Sequence, residues 1–127
     1  MKGIYFINDR ITINGLTNEE SFRIQERSIQ YFMQTNKIQE MKLNPYQLYN
    51  YYTNPHALLY DLKKTNQQVD YFISYSEQMT WDFIHTYPAR WLVLKSFFNE
   101  MITIQDQIET NNNRVVWFHH CISRLLS

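Results

Sequence analysis

The sequence predicts an α/β domain in which a mainly parallel sheet of four to five strands carries helices on both faces. Short β-rich runs alternate with helix openings along the chain, and that alternation marks strand–helix–strand units whose strands run parallel. The run VDYFISY at 69–75 is the best candidate for a buried strand. A length of 127 residues suits one domain, 1–127, with a substantial core.

The elements follow in order. GIYFIN at 3–8 is a first strand, and Asn14-Gly15 signals a turn after it. Thr17-Asn18-Glu19-Glu20 has the form of a capping box, in which the Thr17 hydroxyl takes the Glu20 N–H while the Glu20 carboxylate reaches back. From there Phe22, Gln25, Ile29, Phe32 and Met33 recur at helical spacing to about Asn36, with Arg23, Glu26 and Arg27 opposite. IQEMKL at 38–43 reads as a short strand, and 44–54 as a Tyr-rich, turn-prone segment.

Asn54-Pro55 presents an N-cap followed by proline at the first helical position, opening a helix through Lys64 with Leu58, Leu59 and Leu62 inward. After the strand at 69–75, Pro88 opens a helix over ARWLVLKSFFNE, followed by a strand MITIQ at 101–105. A polar loop at 106–113 leads to a closing amphipathic helix, RVVWFHHCISRLLS.

Composition narrows the function. Twelve basic and 12 acidic residues give zero formal charge, which removes the cationic signature of most non-specific nucleic-acid binders. Apolar stretches reach roughly ten residues, short of a membrane span, and no basic-then-apolar leader precedes them. The single cysteine, Cys121, excludes an internal disulfide and suits a reducing compartment. A cytoplasmic protein is therefore expected. Ten Tyr, 8 Phe and 3 Trp make up 17% of the chain, and such rings fill cores but also enrich binding surfaces.

The order of these pieces resembles the N-terminal catalytic domain of serine recombinases, the resolvase and invertase family, over nearly the whole chain. Ile4-Tyr5 resembles the start of that family's first strand, and Ser21-Phe22-Arg23-Ile24-Gln25-Glu26-Arg27 its Ser-Leu-Glu-x-Gln-Arg helix opening. Asn54-Pro55 through Leu58-Leu59-x-Asp61-Leu62-Lys63 is similar to its Arg-Pro-x-Leu-x-x-Leu-Leu segment, Asp70 with the following strand to its central strand, and Glu109-Thr110 to Phe118 to its loop and long dimerisation helix. The resemblance implies a resolvase-like fold, and the expectation is a single domain lacking the family's C-terminal DNA-binding domain.

It also implies a chemistry this chain is not equipped for. The family's serine attacks a DNA phosphate while an arginine cluster stabilises the phosphoryl charge. Its Tyr-x-Arg-Val-Ser falls on Tyr5-Phe6-Ile7-Asn8-Asp9, so Ile7 stands for the arginine and Asp9 for the nucleophile. A shifted register lays Arg10-Ile11-Thr12 over Arg-Val-Ser and keeps a hydroxyl at Thr12. The family's Lys-Leu-Asp-Arg-Leu-Ser-Arg loop falls on Ser76-Glu77-Gln78-Met79-Thr80-Trp81-Asp82, with Met79 and Asp82 in the arginine positions and Gln78 beside them. Losing one transition-state donor costs on the order of a hundredfold in rate, and losing several should abolish strand cleavage.

The expectation is a catalytically inactive, regulatory serine-recombinase-like domain of bacterial or prophage setting, acting through a protein partner or as a dimer. The partner surfaces expected are Tyr46, Tyr49, Tyr51 and Tyr52 in the aromatic run, and Trp117, Phe118, Leu125 and Leu126 on the terminal helix. Two alternatives stay open. One is an accessory recombinase or nuclease with altered chemistry at Asp9, Thr12 or Glu77, since carboxylates at neighbouring strand ends can do acid/base or metal work. The other is a DNA-binding architectural protein. No cofactor or metal framework is read: His119-His120-Cys121 are consecutive, about 100° apart on a helix, and do not converge on one ion. His56 and His85 are isolated and read as capping or packing groups.

Overall fold

The computed structural model describes residues 1–105. The terminal helix expected from 114, with Trp117, Phe118, Leu125, Leu126 and the His119-His120-Cys121 triplet, lies outside the described residues. Within them the fold is α/β, with a parallel five-stranded sheet. The elements are β1 (Lys2–Phe6), α1 (Asn18–Thr35), β2 (Gln39–Glu40), β3 (Tyr51–Tyr52), α2 (Pro55–Thr65), β4 (Val69–Ser74), α3 (Trp81–Thr86), α4 (Pro88–Ser96) and β5 (Phe98–Thr103), with a single 3-10 turn at Glu77–Met79.

The strand order is β2-β1-β4-β5, and β3 also pairs with β1. β2 and β3 are two pieces of one edge. Gly3 of β1 lies opposite Glu40, and Tyr5 opposite Tyr51. While β1 advances by one side-chain repeat, the edge chain makes a long excursion and returns. The connection after β1 leads to that edge, whereas α2 leads to β4 on the other side of β1. The carboxyl ends of β1 and β4 therefore flank a topological switch point, where ligands bind in open α/β sheets.

Side chains of β1 alternate between the two faces. Tyr5 and Ile7 pack with Ile73, Ile102 and, from α1, Ile29 and Met33. Ile4 and Phe6 pack with Phe72, Phe98, Leu58 and Leu62 of α2, and Leu94 of α4. Helices thus cover both faces. Gly3 faces the α1 side with little room: a Cβ there would lie 2.9 Å from Ile38 Cγ2, just after α1, and 3.3 Å from Ile73 Cδ1 of β4.

Several local signals act as their chemistry predicts. Asn14 and Gly15 both have positive φ, and Leu16 N–H donates to the Ile13 carbonyl at 2.8 Å, closing a tight turn. Thr17 and Glu20 form the reciprocal capping box at the start of α1. Its backbone and side-chain hydrogen bonds to Thr17 hold the Glu20 carboxyl below the usual range. The Asn54 side chain accepts from the His56 and Ala57 N–H groups, and Asn66 closes α2 in the left-handed region.

Other boundaries differ from the sequence reading. The strand expected over 38–43 is confined to Gln39–Glu40, and the turn-prone segment contains β3. The helix opened by Pro88 stops at Ser96 rather than continuing through FFNE. Val69 N–H donates to the Phe97 carbonyl, Phe98 pairs with Val69, and the Phe98 ring packs 5.4 Å from that of Phe72. Sheet pairing thus takes the residues that helical spacing had claimed. The short helix α3 is an addition to the expected elements. Among the described residues no helix is long and apolar enough to cross a membrane.

Candidate functional site

The switch point is built from two loops and one helix side chain. Ile7 is fully buried at the end of β1, and its N–H extends the edge pairing by donating to the Tyr52 carbonyl. The next residue, Asn8, is half-buried and holds the site together. Its backbone N–H donates to Gln25 Oε1 and its carbonyl accepts from Gln25 Nε2, both at 2.9 Å. The Asn8 side chain then spans the crevice: Nδ2 donates to the Met79 carbonyl and Oδ1 accepts from Arg10 N–H, each at 2.9 Å. Gln25 is fully buried on α1, so its amide must find partners, and the backbone of Asn8 supplies both.

Around this bridge the expected positions separate. Met79 and Ser76 are buried, whereas Asp9, Arg10, Thr12, Glu77, Gln78 and Asp82 are exposed. Ser76, Glu77 and Met79 form or cap the 3-10 turn, while Asp82 lies one element further on, in α3. The loops carrying Asp9 and Glu77 are brought together through Asn8 and Met79. Of the expected site residues brought to this place Arg10 alone is cationic. Among the described residues no group of three His, Cys, Asp or Glu is placed to hold a metal ion.

Beside the switch point, between α3, α4 and the carboxyl halves of β4 and β5, lies a cleft of about 360 Å³ whose lining includes Ser74, Glu77, Trp81, His85, Trp91 and Lys95. Trp81 and His85 stack at 3.8 Å. His56 packs edge-on against Phe83 and Tyr87, at 5.0 and 4.7 Å.

The aromatic run divides between the core and the surface. Tyr52 is buried, and its hydroxyl donates to Asp61 Oδ2 at 2.7 Å; burial, then that carboxylate, raises its pKa beyond the ordinary tyrosine range. Tyr51 points to the opposite face and is half-buried. Its ring lies 5.8 Å from Tyr5, 5.5 Å from Phe22 of α1, and 5.1 Å from Tyr49, with which it stacks. Tyr46, Leu48 and Tyr49 are 91%, 86% and 60% exposed on the excursion between β2 and β3. That excursion is held by its own bonds: Lys42 Nζ donates to the Gln47 carbonyl, Gln47 Nε2 to the Tyr49 carbonyl, and Asn50 Nδ2 to Glu40.

Sequence reasoning places Gln25 on the inward face of α1 and in the helix-opening motif, but does not pair it with Asn8. The available signal was Gln25 itself, a polar residue in register with the apolar face of α1. Comparison with protein-family models, curated proteins and solved structures finds no match to the chain.

Proposed function

We propose that this chain is a recombinase-like α/β domain that works by protein contact and does not cleave DNA. The observation that carries this reading is the closed switch point. The amide groups at its base are used internally, with Gln25 spent on the Asn8 backbone and the Asn8 side chain on the Met79 carbonyl and the Arg10 N–H. The carboxylates of Asp9 and Glu77 flank it where phosphoryl transfer needs cationic donors. The exposed aromatic side chains of the edge excursion, set on a hydrogen-bonded frame, give the contact surface. Rigid tyrosines bury large area at small conformational cost.

The test is incubation of the purified chain with supercoiled DNA and denaturing separation of protein-linked DNA, beside sedimentation of the chain alone and with candidate proteins. No covalent adduct is expected, together with a complex or self-association that Tyr46→Ala with Tyr49→Ala weakens. An adduct lost in Thr12→Ala would overturn the inactive reading, and a strictly monomeric, partnerless chain would overturn the contact reading.

A second reading, altered catalysis at Glu77, draws on the cleft that Glu77 shares with His85 and Lys95. It requires hydrolytic activity that disappears in Glu77→Ala.

A further inference from the structure

The exposed aromatic edge has a charge pattern that specifies its partner more closely; this step rests on the contact reading above. A shallow groove of about 440 Å³ runs beside Phe22 and is lined by Asp9, Asn18, Glu19, Arg23 and Glu26. Through the edge-on contact of Phe22 with Tyr51, and the stacking of Tyr51 on Tyr49, the groove is continuous with the tyrosine excursion. Glu40 stands on the same edge, opposite Gly3 in the ladder, and accepts from Asn50.

Of the cations nearby, Arg10, which follows Asp9 in the chain, has no ion-pair partner among the described residues, and two others are engaged. Arg23 is paired with Glu19, the one side-chain ion pair among the described residues, and Lys42 is turned to the Gln47 carbonyl. Asp9, Glu26 and Glu40 have no ion-pair partner among those residues. Their field is felt by the rings between them. Burial is the largest cause of the raised Tyr51 hydroxyl, and the charges of Glu26 and Asp9 add to it; Glu40 and Glu26 act in the same sense on Tyr5.

An exposed, stacked tyrosine face beside unpaired carboxylates favours one kind of occupant. A cation over an aromatic ring is attracted by the ring quadrupole, and carboxylates at the rim steer the same charge. A phosphate backbone would meet repulsion at Asp9, Glu26 and Glu40. We propose that this edge binds a basic segment of a partner protein, with an arginine or lysine side chain lying over Tyr49 between Glu26 and Glu40, and its neighbours following the groove past Phe22 to Asp9.

The probe is a short fluorescein-labelled peptide of alternating arginine and serine, read by anisotropy and by amide chemical-shift changes in the full chain, against a counterpart in which citrulline replaces arginine. Shifts are expected at Phe22, Glu26, Glu40, Tyr49 and Tyr51. Tyr49→Ala should weaken binding by roughly five- to thirtyfold, and Glu26→Gln should weaken it further. Glu100→Gln, on the exposed part of β5, should leave it unchanged. Equal effects of Glu26→Gln and Glu100→Gln would reduce the attraction to bulk charge and overturn the site. Equal binding of the citrulline peptide at these residues would overturn the cationic partner while leaving the contact reading in place. Binding of neither peptide would overturn the proposed site. In the earlier assay a DNA adduct would overturn the inactive reading, and a strictly monomeric, partnerless chain the contact reading, independently of all these outcomes.

Discussion

Replacing Gln25 by leucine tests the central element of the site, because it keeps the side-chain volume and removes both bonds to Asn8. Gln25 is fully buried, and its two 2.9 Å bonds serve one backbone N–H and one carbonyl. Two lost bonds are worth about 2 kcal/mol, and stranding the Asn8 groups adds about 1 kcal/mol for each that water fails to reach. Apolar burial of the leucine offsets about 1 kcal/mol of this. The expected net loss is about 2–3 kcal/mol, read as a lower urea midpoint with an unchanged slope. Hydrogen exchange at the Asn8 amide should accelerate in the same variant.

Asn8→Ala keeps the backbone that Gln25 grips and removes the bridge to Met79. A half-buried pair of bonds should cost about 1–2 kcal/mol. If the two layers act as one clamp, lifting Asn8 away in Gln25→Leu already breaks the Met79 contact, so the double variant should lose at least about 0.5 kcal/mol less than the sum of the singles. A loss below about 0.5 kcal/mol for Gln25→Leu, or strict additivity of the two changes, would refute the clamp.

Three further outcomes follow from the same packing. Gly3→Ala should destabilise by about 1–3 kcal/mol in thermal unfolding, since its methyl meets the β-branched Ile38 at 2.9 Å; an unchanged midpoint would mean that the α1 layer yields freely. Ser28→Ala should raise stability by about 1 kcal/mol, because the Ser28 hydroxyl is buried without a hydrogen-bond partner among the described residues; destabilisation would refute this. On alkaline titration, burial pushes Tyr5 up to about 12 and raises Tyr52, Tyr75 and Tyr51 as well. Raised folded values give stability that is fully present below the unfolded value near pH 10 and lost as pH rises through the folded ones. Phenolate absorbance should therefore lag behind exposed tyrosines and then appear together with loss of the circular-dichroism signal; early, unfolding-independent ionisation of all tyrosines would refute this.

What the sequence discloses, and what it conceals, divides by range. The capping box at Thr17, the Asn14-Gly15 turn and the Asn54-Pro55 helix start are settled within a few residues, and the structure has each of them. The boundary between α4 and β5 is not local, because Phe97 and Phe98 are claimed by pairing with Val69 across the chain. The two-residue β3 is too short to show a period. Without it the tyrosine run could not be sorted, although adjacent strand residues point to opposite faces. That parity alone sends Tyr52 to Asp61 and the core, and Tyr51 to Tyr49 and the surface.

The candidate site follows the same rule. Asp9 and Glu77 were visible as carboxylates after strands, but their relation depends on Asn8 reaching Met79, 71 positions away, and on Gln25, 17 positions away. A glutamine at an inward helical position is costly unless its amide is satisfied. Here it is satisfied by the backbone at the mouth of the sheet, in the crevice where an open α/β fold would ordinarily receive a ligand. A side chain that anchors this mouth from within holds the loop after β1 in place, while the interrupted edge strand carries an excursion whose Tyr46, Leu48 and Tyr49 are turned outward. The two features support the proposed division of labour: the switch point stabilises the domain, and the edge is the surface proposed to meet a partner.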